Sequence, residues 1–328
     1  MKRREFLKVA GTSMAGLAFG SSLLGSCSKG GGYDNPQKTP VEKPTGHFSL
    51  WQLTSTSDTI GNAYVLKTAE GNLIIVDGGH SGNTDGNKLL TYIKSQGKGK
   101  VKAWWFSHPH ADHIGAFMNI TAGDLDKLDI EIETIYHSRL ATAVMNKENN
   151  GNNCTLFYER LAALEARGTK IVDLQTLGAR YDMDGIFIKV LGIANPEFTT
   201  AAEGTSVYNE QSVIVRFEDD TKSVVFLGDA SDQAGTKAVT KYSKYLNCDY
   251  LQMAHHGQRG VRQSFYNAID FKHCLWPTPK WLWETTEQDN IDGTKPYKTW
   301  QTREWMAAKG IPDENHHVAW RDIDWYLP

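Results

Sequence analysis

The sequence predicts a mixed α/β fold in which two β-sheets pack together and helices cover both outer faces. Three observations predict it. Short apolar runs of strand length follow one another closely along the chain. Amphipathic helical patterns lie between or after several of them. Their order is not the strict strand–helix alternation of a parallel sheet, because many strand candidates are neighbours in sequence.

Strand-like runs come first, at 48–54, 63–68 and 72–76, and the turn Asp77-Gly78-Gly79 ends the third. A helical pattern at 87–95 precedes the strongly apolar strand candidate 101–106, and 114–120 reads as a helix. A second set opens with a strand at 130–136 and an amphipathic helix at 156–166. Strand candidates recur at 170–174, 186–191, 212–217, 223–227 and 250–254, and last at 273–276 and 317–320. Helical patterns lie at 234–245, 262–269 and 299–309. The run 146–153 reads as an exposed loop at the mouth of a site, and no internal repeat is visible.

At 328 residues, 40% hydrophobic and 22% charged, the chain can build one large domain or two small ones. Its formal net charge of −3 argues against an extended nucleic-acid surface, which would need cations to displace counterions from phosphates. Cys27, Cys154, Cys248 and Cys274 show no paired spacing, so neither a zinc ribbon nor a disulfide framework is indicated. Seven tryptophans crowd the C-terminal third: Trp276, Trp281, Trp283, Trp300, Trp305, Trp320 and Trp325. They read as core packing, with a substrate wall or a cage for a cationic group as the alternative.

The chain opens Met1-Lys2-Arg3-Arg4-Glu5-Phe6-Leu7-Lys8, followed by a short apolar stretch at 9–24. This is the layout of a secretory signal, and its basic string resembles the twin-arginine export signal. Leu24-Gly25-Ser26-Cys27 resembles a bacterial lipobox, in which the Cys receives lipid. The expectation is an export signal at 1–27, a Gly- and Pro-rich tether at 28–45 and a folded domain at 46–328. The protein is then expected to be an exported lipoprotein, held to the membrane by its N-terminal lipid on the periplasmic or cell-surface side.

The run His108-Pro109-His110-Ala111-Asp112-His113 carries the chemistry. On an extended segment alternate side chains share a face, so His108 and His110 can meet one ion. Asp112 and His113, at the turn into the next helix, can bind a second. Three imidazoles and a carboxylate suit zinc, at about 2.0–2.2 Å per bond. The alternative, a group of solvated surface histidines, is disfavoured by a position directly after a buried strand.

Ser107-His108-Pro109-His110-Ala111-Asp112-His113-Ile114-Gly115 resembles the HxHxDH signature of the metallo-β-lactamase superfamily. Three further motifs follow the family's order. Leu73-Ile74-Ile75-Val76-Asp77-Gly78-Gly79 is similar to its first motif, whose Asp orients the metal loop. Val224-Val225-Phe226-Leu227-Gly228-Asp229 is similar to the strand whose Asp bridges two metals, and Met253-Ala254-His255-His256-Gly257 to the segment supplying the last His. The resemblance implies a four-layer αββα sandwich and a hydrolase with two divalent metal ions, zinc first and manganese as the alternative.

Asn209-Glu210-Gln211-Ser212, with His-His-Gly later, resembles the competence-protein (ComEC) branch and the phosphorylcholine esterases, which are mostly phosphodiesterase-like. Many superfamily members place a third His for the first metal about where Asn209 stands. An amide oxygen is a weaker neutral ligand, so the first metal is expected to be bound loosely, to take an extra water or to recruit another His, with His137 the candidate and otherwise a substrate contact or an ordinary loop residue. The metal ligands implied are His108, His110, Asp112, His113, Asp229, His256 and Asn209. Of the adjacent pair, His256 is favoured as ligand and His255 as proton donor or phosphate contact, since neighbours on a strand face opposite ways. Asp112 or Asp77 would hold or accept a proton from a water shared between the metals, whose hydroxide attacks a phosphorus or carbonyl centre.

The resemblance thus implies a phosphodiesterase or phosphoesterase acting on a small-molecule or phosphodiester substrate. A β-lactamase- or lactonase-type acyl hydrolase, and a lipid-anchored binding protein on the same fold, are the alternatives. His47, His80, His273, His316 and His317 show no ligand spacing and read as surface or packing residues.

Overall fold

The structure, a computed structural model, describes residues 43–55, 59–148 and 151–328, apart from the side chains of Asn83, Gly151 and Asn152. The expected export signal at 1–27 and all but the last residues of the expected tether lie outside the described residues. The backbone N–H groups of Thr45 and Gly46 already donate to the carbonyl of Gly185.

The apolar runs become strands because most of their residues have a neighbouring layer on each side. The first sheet contains β1 (Phe48–Gln52), β2 (Ala63–Thr68), β3 (Leu73–Asp77), β4 (Lys100–Trp105), β5 (Glu131–His137) and β6 (Lys170–Asp173). The second contains β7 (Arg180–Met183), β8 (Ile186–Gly192), β9 (Ile214–Glu218), β10 (Ser223–Phe226), β11 (Cys248–Gln252), β12 (Phe271–Trp276) and β13 (His316–Val318). The last strand, β14 (Trp325–Leu327), returns to the edge of the first sheet beside β1. The helices are α1 (Asn83–Gly97), α2 (Ala111–Ile120), α3 (Thr142–Met145), α4 (Gly151–Glu165), α5 (Asp232–Leu246), α6 (Gln263–Asn267), α7 (Lys280–Trp283), α8 (Glu287–Ile291) and α9 (Thr299–Lys309).

The layers follow from alternation along the strands. On β4, Trp105 turns inward to a core shared with Tyr64, Phe217 and Phe226 of both sheets, while Trp104 turns outward to Leu89, Phe117 and Phe157 of α1, α2 and α4. On β10, Val224 faces that inner core and Val225 the outer one, with Ala234, Phe265 and Met306 of α5, α6 and α9. Each such large apolar side chain stabilises the fold by about 1.5–3 kcal/mol relative to exposure. The result is the four-layer αββα sandwich expected from the sequence. No helix among the described residues is long and apolar enough to cross a membrane.

The two sheets share one strand plan. In the order β14-β1-β2-β3-β4-β5-β6 the pairs up to β3 are antiparallel and those beyond it parallel. In β7-β8-β9-β10-β11-β12-β13 the same change falls at β10. Pairing changes from antiparallel to parallel at β3 and β10, and ligands of α/β sheets gather outside the carboxyl ends of parallel strands. Asp77 ends β3, and Asp229 follows β10.

Candidate metal centre

Four carboxyl strand ends bring the motif residues to one place. The loop after β4 carries His108 and His110 and opens α2, so Asp112 and His113 lie in its first turn. The turn after β10 carries Asp229, and the turn after β11 carries His255 and His256. Two ligand groups form, Asp112-His113-Asp229-His256 and His108-His110-Asp229, and Asp229 belongs to both.

The spacing suits coordination. His113 Nε2 is 3.1 Å from Asp229 Oδ1 and 3.9 Å from Asp112 Oδ2. His256 Nε2 is 2.9 Å from Asp112 Oδ2 and 3.5 Å from Asp229 Oδ2. His108 Nε2 is 3.7 Å from Asp229 Oδ2 and 2.8 Å from His110 Nδ1. Donor atoms about 2.1 Å from one tetrahedral ion stand about 3.4 Å apart, so these contacts bracket the requirement. His113 Nε2, His256 Nε2 and Asp229 Oδ1 are buried and, despite these close carboxylate–imidazole contacts, make no well-aligned hydrogen bond. Buried polar atoms are seldom left so, and a divalent cation satisfies all three at once.

Electrostatics point the same way. Burial drives His108 well below its ordinary value, helped by His113 and His110, so it presents a neutral imidazole. Burial also acts downward on His113 and His256. Asp229, with Asp77 and Asp112 at His113 and Asp112 at His256, outweighs it, and His256 is pushed up to about 9. Burial raises Asp229, yet His113, His256 and His255 outweigh it and hold the carboxyl well below the usual range. The negative field that draws protons onto the two imidazoles is the field that attracts metal cations.

The supporting atoms are equally specific. Asp77, fully buried, accepts from Ser107 N–H at 2.7 Å, Ser107 Oγ–H at 2.7 Å, Asn62 Nδ2–H at 2.7 Å and His113 Nδ1–H at 2.7 Å. This corrects the expectation that Asp77 takes a proton from water: its oxygens are committed, and it acts through His113. Asn209 also differs from expectation. Its Oδ1 accepts from Ser206 N–H at 2.6 Å and its Nδ2 donates to Asp229 Oδ2 at 3.0 Å, so it steadies the shared carboxylate and turns its amide nitrogen, not its oxygen, to Asp229. The rest of that motif is structural wiring. Glu210 accepts from Gln233 N–H and Ala234 N–H at the start of α5, Gln211 bonds Asn195 N–H and the Phe198 carbonyl, and Ser212 Oγ accepts from Asp229 N–H.

His255 and His256 diverge, but not by strand alternation. Both sit in a tight turn with φ of 51° and 57°. His256 enters a ligand group, and Pro277 O lies 3.2 Å from its Nδ1. His255 Nε2 lies 3.8 Å from Asp229 Oδ2, outside both groups. His137, the substitute ligand considered for the first ion, is buried beside Phe157 and Tyr158 and joins neither group. Two turn glycines are obligatory: at Gly228 (φ 55°) a Cβ would meet that of Ser107 at 2.6 Å, and at Gly257 (φ 80°) it would meet the Trp276 ring at 2.4 Å.

Sequence reasoning missed Gln252 and Glu148. Gln252, fully buried on β11, accepts from Leu227 N–H and donates to Gly228 O, which fixes the turn bearing Asp229. Glu148 Oε2 lies 3.1 Å from His110 Nε2. A third group, His47, Asp219 and Asp220, lies apart, and Lys222 Nζ is already 3.0 Å from Asp219 there. The tryptophans mostly follow the packing reading: Trp276 is buried against Trp283 and His316, and the cations over Trp283 and Trp320 are the chain's own Arg303 and Lys280.

Residues 56–124 match the family model of the Metallo-beta-lactamase superfamily. Among curated proteins none matches the sequence. The structure is similar to the metallo-beta-lactamase fold protein YhfI from Bacillus subtilis, at 14% identity and a TM-score of 0.51, covering 86% of this chain and 100% of that one. It is also similar to unliganded yeast PDE1, at 12% identity and a TM-score of 0.50, covering 83% and 97%. At these identities the likeness is one of fold. Sandwich, family match and ligand geometry define the class: the chain is a metallo-β-lactamase-fold hydrolase with His/Asp groups suited to divalent metal.

Proposed function

We propose that this hydrolase is a phosphodiesterase or phosphoesterase working with two divalent cations, zinc first among them. The position of Asp229 within both ligand groups carries the reading. His108 and His110 would hold one ion, Asp112, His113 and His256 the other, and Asp229 both. Cations so placed lower the pKa of a water toward neutrality and offset charge on the substrate's oxygens. Asp112, with a quarter of its side chain exposed, would be the group that takes a proton. His255 Nε2, beside Asp229 but outside the ligand groups, would contact a phosphoryl oxygen or protonate the leaving group.

The phosphoester choice over an acyl substrate rests on the Asn-Glu-Gln-Ser and His-His-Gly wording and on the lack of a histidine at position 209. The twin-arginine string and lipobox support an exported lipoprotein acting at the periplasmic or cell-surface side.

The test is metal analysis of the purified protein, with bis-p-nitrophenyl phosphate and a chromogenic β-lactam assayed on the same sample. Expected are two ions per chain and phosphodiester cleavage that chelation abolishes and zinc or manganese restores. Turnover of the β-lactam alone would move the protein to the acyl hydrolases. Absence of metal and of turnover would leave a lipid-anchored binding protein.

A further inference from the structure

We infer that Glu148 is a positioning residue for the cation at His108 and His110, an inference that rests on the two-cation reading above. Its carboxylate holds the imidazole of His110 so that Nδ1 faces the ion, and it strengthens that nitrogen as a donor.

The geometry is specific on both ring nitrogens. His110 Nε2 lies 3.1 Å from Glu148 Oε2, and His110 Nδ1 lies 2.8 Å from His108 Nε2. A carboxylate accepts only, so the proton sits on Nε2 and the lone pair on Nδ1. Glu148 is fixed in turn: its Oε1 accepts from Tyr208 N–H at 2.6 Å, and its side chain is 12% exposed. The Tyr208 ring stacks on His110 at 5.5 Å, and its hydroxyl donates to the Met145 carbonyl at 2.8 Å.

The pattern across the centre gives this contact its meaning. His113 is backed by a carboxylate, Asp77. His256 is backed by the Pro277 carbonyl and His108 by hydroxyls of Ser107 and Ser212. Each cation position therefore has one histidine with a charged backing group. The position at His108 and His110 has fewer protein ligands and Asn209 in place of an imidazole, so it depends more on the strength of the donors it has.

Glu148→Gln tests this, because glutamine offers one oxygen where two N–H donors need acceptors. Uptake of Co2+ by the purified protein is followed by visible absorption and by competition with a chromophoric chelator, for wild type, E148Q, H110A and H110A/E148Q. Melting of each metal-free protein is measured alongside. The expected result is two ions in wild type, and one tight ion plus a second bound about 10–100-fold more weakly in E148Q. Metal-free melting should fall only slightly, because one N–H donor loses its acceptor, and E148Q should add no further loss of metal affinity to H110A. Wild-type affinity at both positions in E148Q overturns the inference. So does weakening of both ions together with a much lower metal-free melting temperature, which marks a purely structural role. A wild type that takes up fewer than two ions sinks the two-cation reading itself, a failure visible before any variant is compared.

Discussion

Oδ2 of Asp77 lies 2.7 Å from Nδ1 of His113, and through that contact an acid at the end of β3 fixes the ring of a histidine in a ligand group it does not itself join. Asp77→Asn replaces one acceptor with a donor where four N–H or O–H groups converge. Affinity for the cation at Asp112, His113 and His256 should fall about 10–100-fold. Stability should fall by about 2–4 kcal/mol, because buried donors lose their partner. Chelator competition and urea unfolding read the two effects. Unchanged affinity would show that His113 needs no carboxylate behind it.

Asn209→Ala removes the donor that steadies the shared carboxylate at 3.0 Å. Both cation positions should weaken together, by roughly tenfold, because Asp229 serves both. Asn209→His should not restore them. A histidine variant that binds metal more tightly than wild type would mean that the side chain stands among the ligands after all.

The paired imidazoles of His273 and His317 predict a pH dependence far from the metal centre. Their Nδ1 and Nε2 atoms are 3.1 Å apart, and His317 stacks on Trp325 at 4.0 Å, joining β13 of one sheet to β14 of the other. Burial, and then His273 beside it, lowers His317 to about 4, and burial lowers His273 as well. The fold favours the neutral rings, so their contribution is fully present above about pH 6.5 and is lost as pH falls toward 4. The loss is on the order of 1 kcal/mol, since both rings are partly exposed and water screens them. His317→Phe keeps a ring on Trp325 and should flatten the decline of urea stability between pH 7 and 4.5. An identical slope in wild type and variant would remove the pair from the account.

Most of the fold was legible because buried strands such as β3 and β10 are uninterrupted apolar runs. The edge strands β7, reading Arg-Tyr-Asp-Met, and β14, only three residues long, carry too little apolar signal to be seen. The shared plan of the two sheets was hidden as well, because it resides in strand direction and pairing and not in residue identity. The motifs were legible because their chemistry demands particular residue types at fixed spacing. The part played by Asn209 was not, since spacing brings it near the ions but only geometry shows that its amide turns to Asp229. Strand alternation failed at His255 and His256 because both adopt left-handed backbone. Glu148 sits in a polar, Asn-rich run with no spacing to the motifs, and Gln252 is a lone polar residue on a strand.

The division of the ligands between two sheets also sets when the centre can exist. A nascent chain that has not yet passed His256 cannot assemble the second ion's pocket, and before Asp229 emerges the first ion has only two imidazoles to hold it. Any growing fragment that stops short of His256 therefore lacks part of the ligand set, and the two halves must close on one another before the centre is complete.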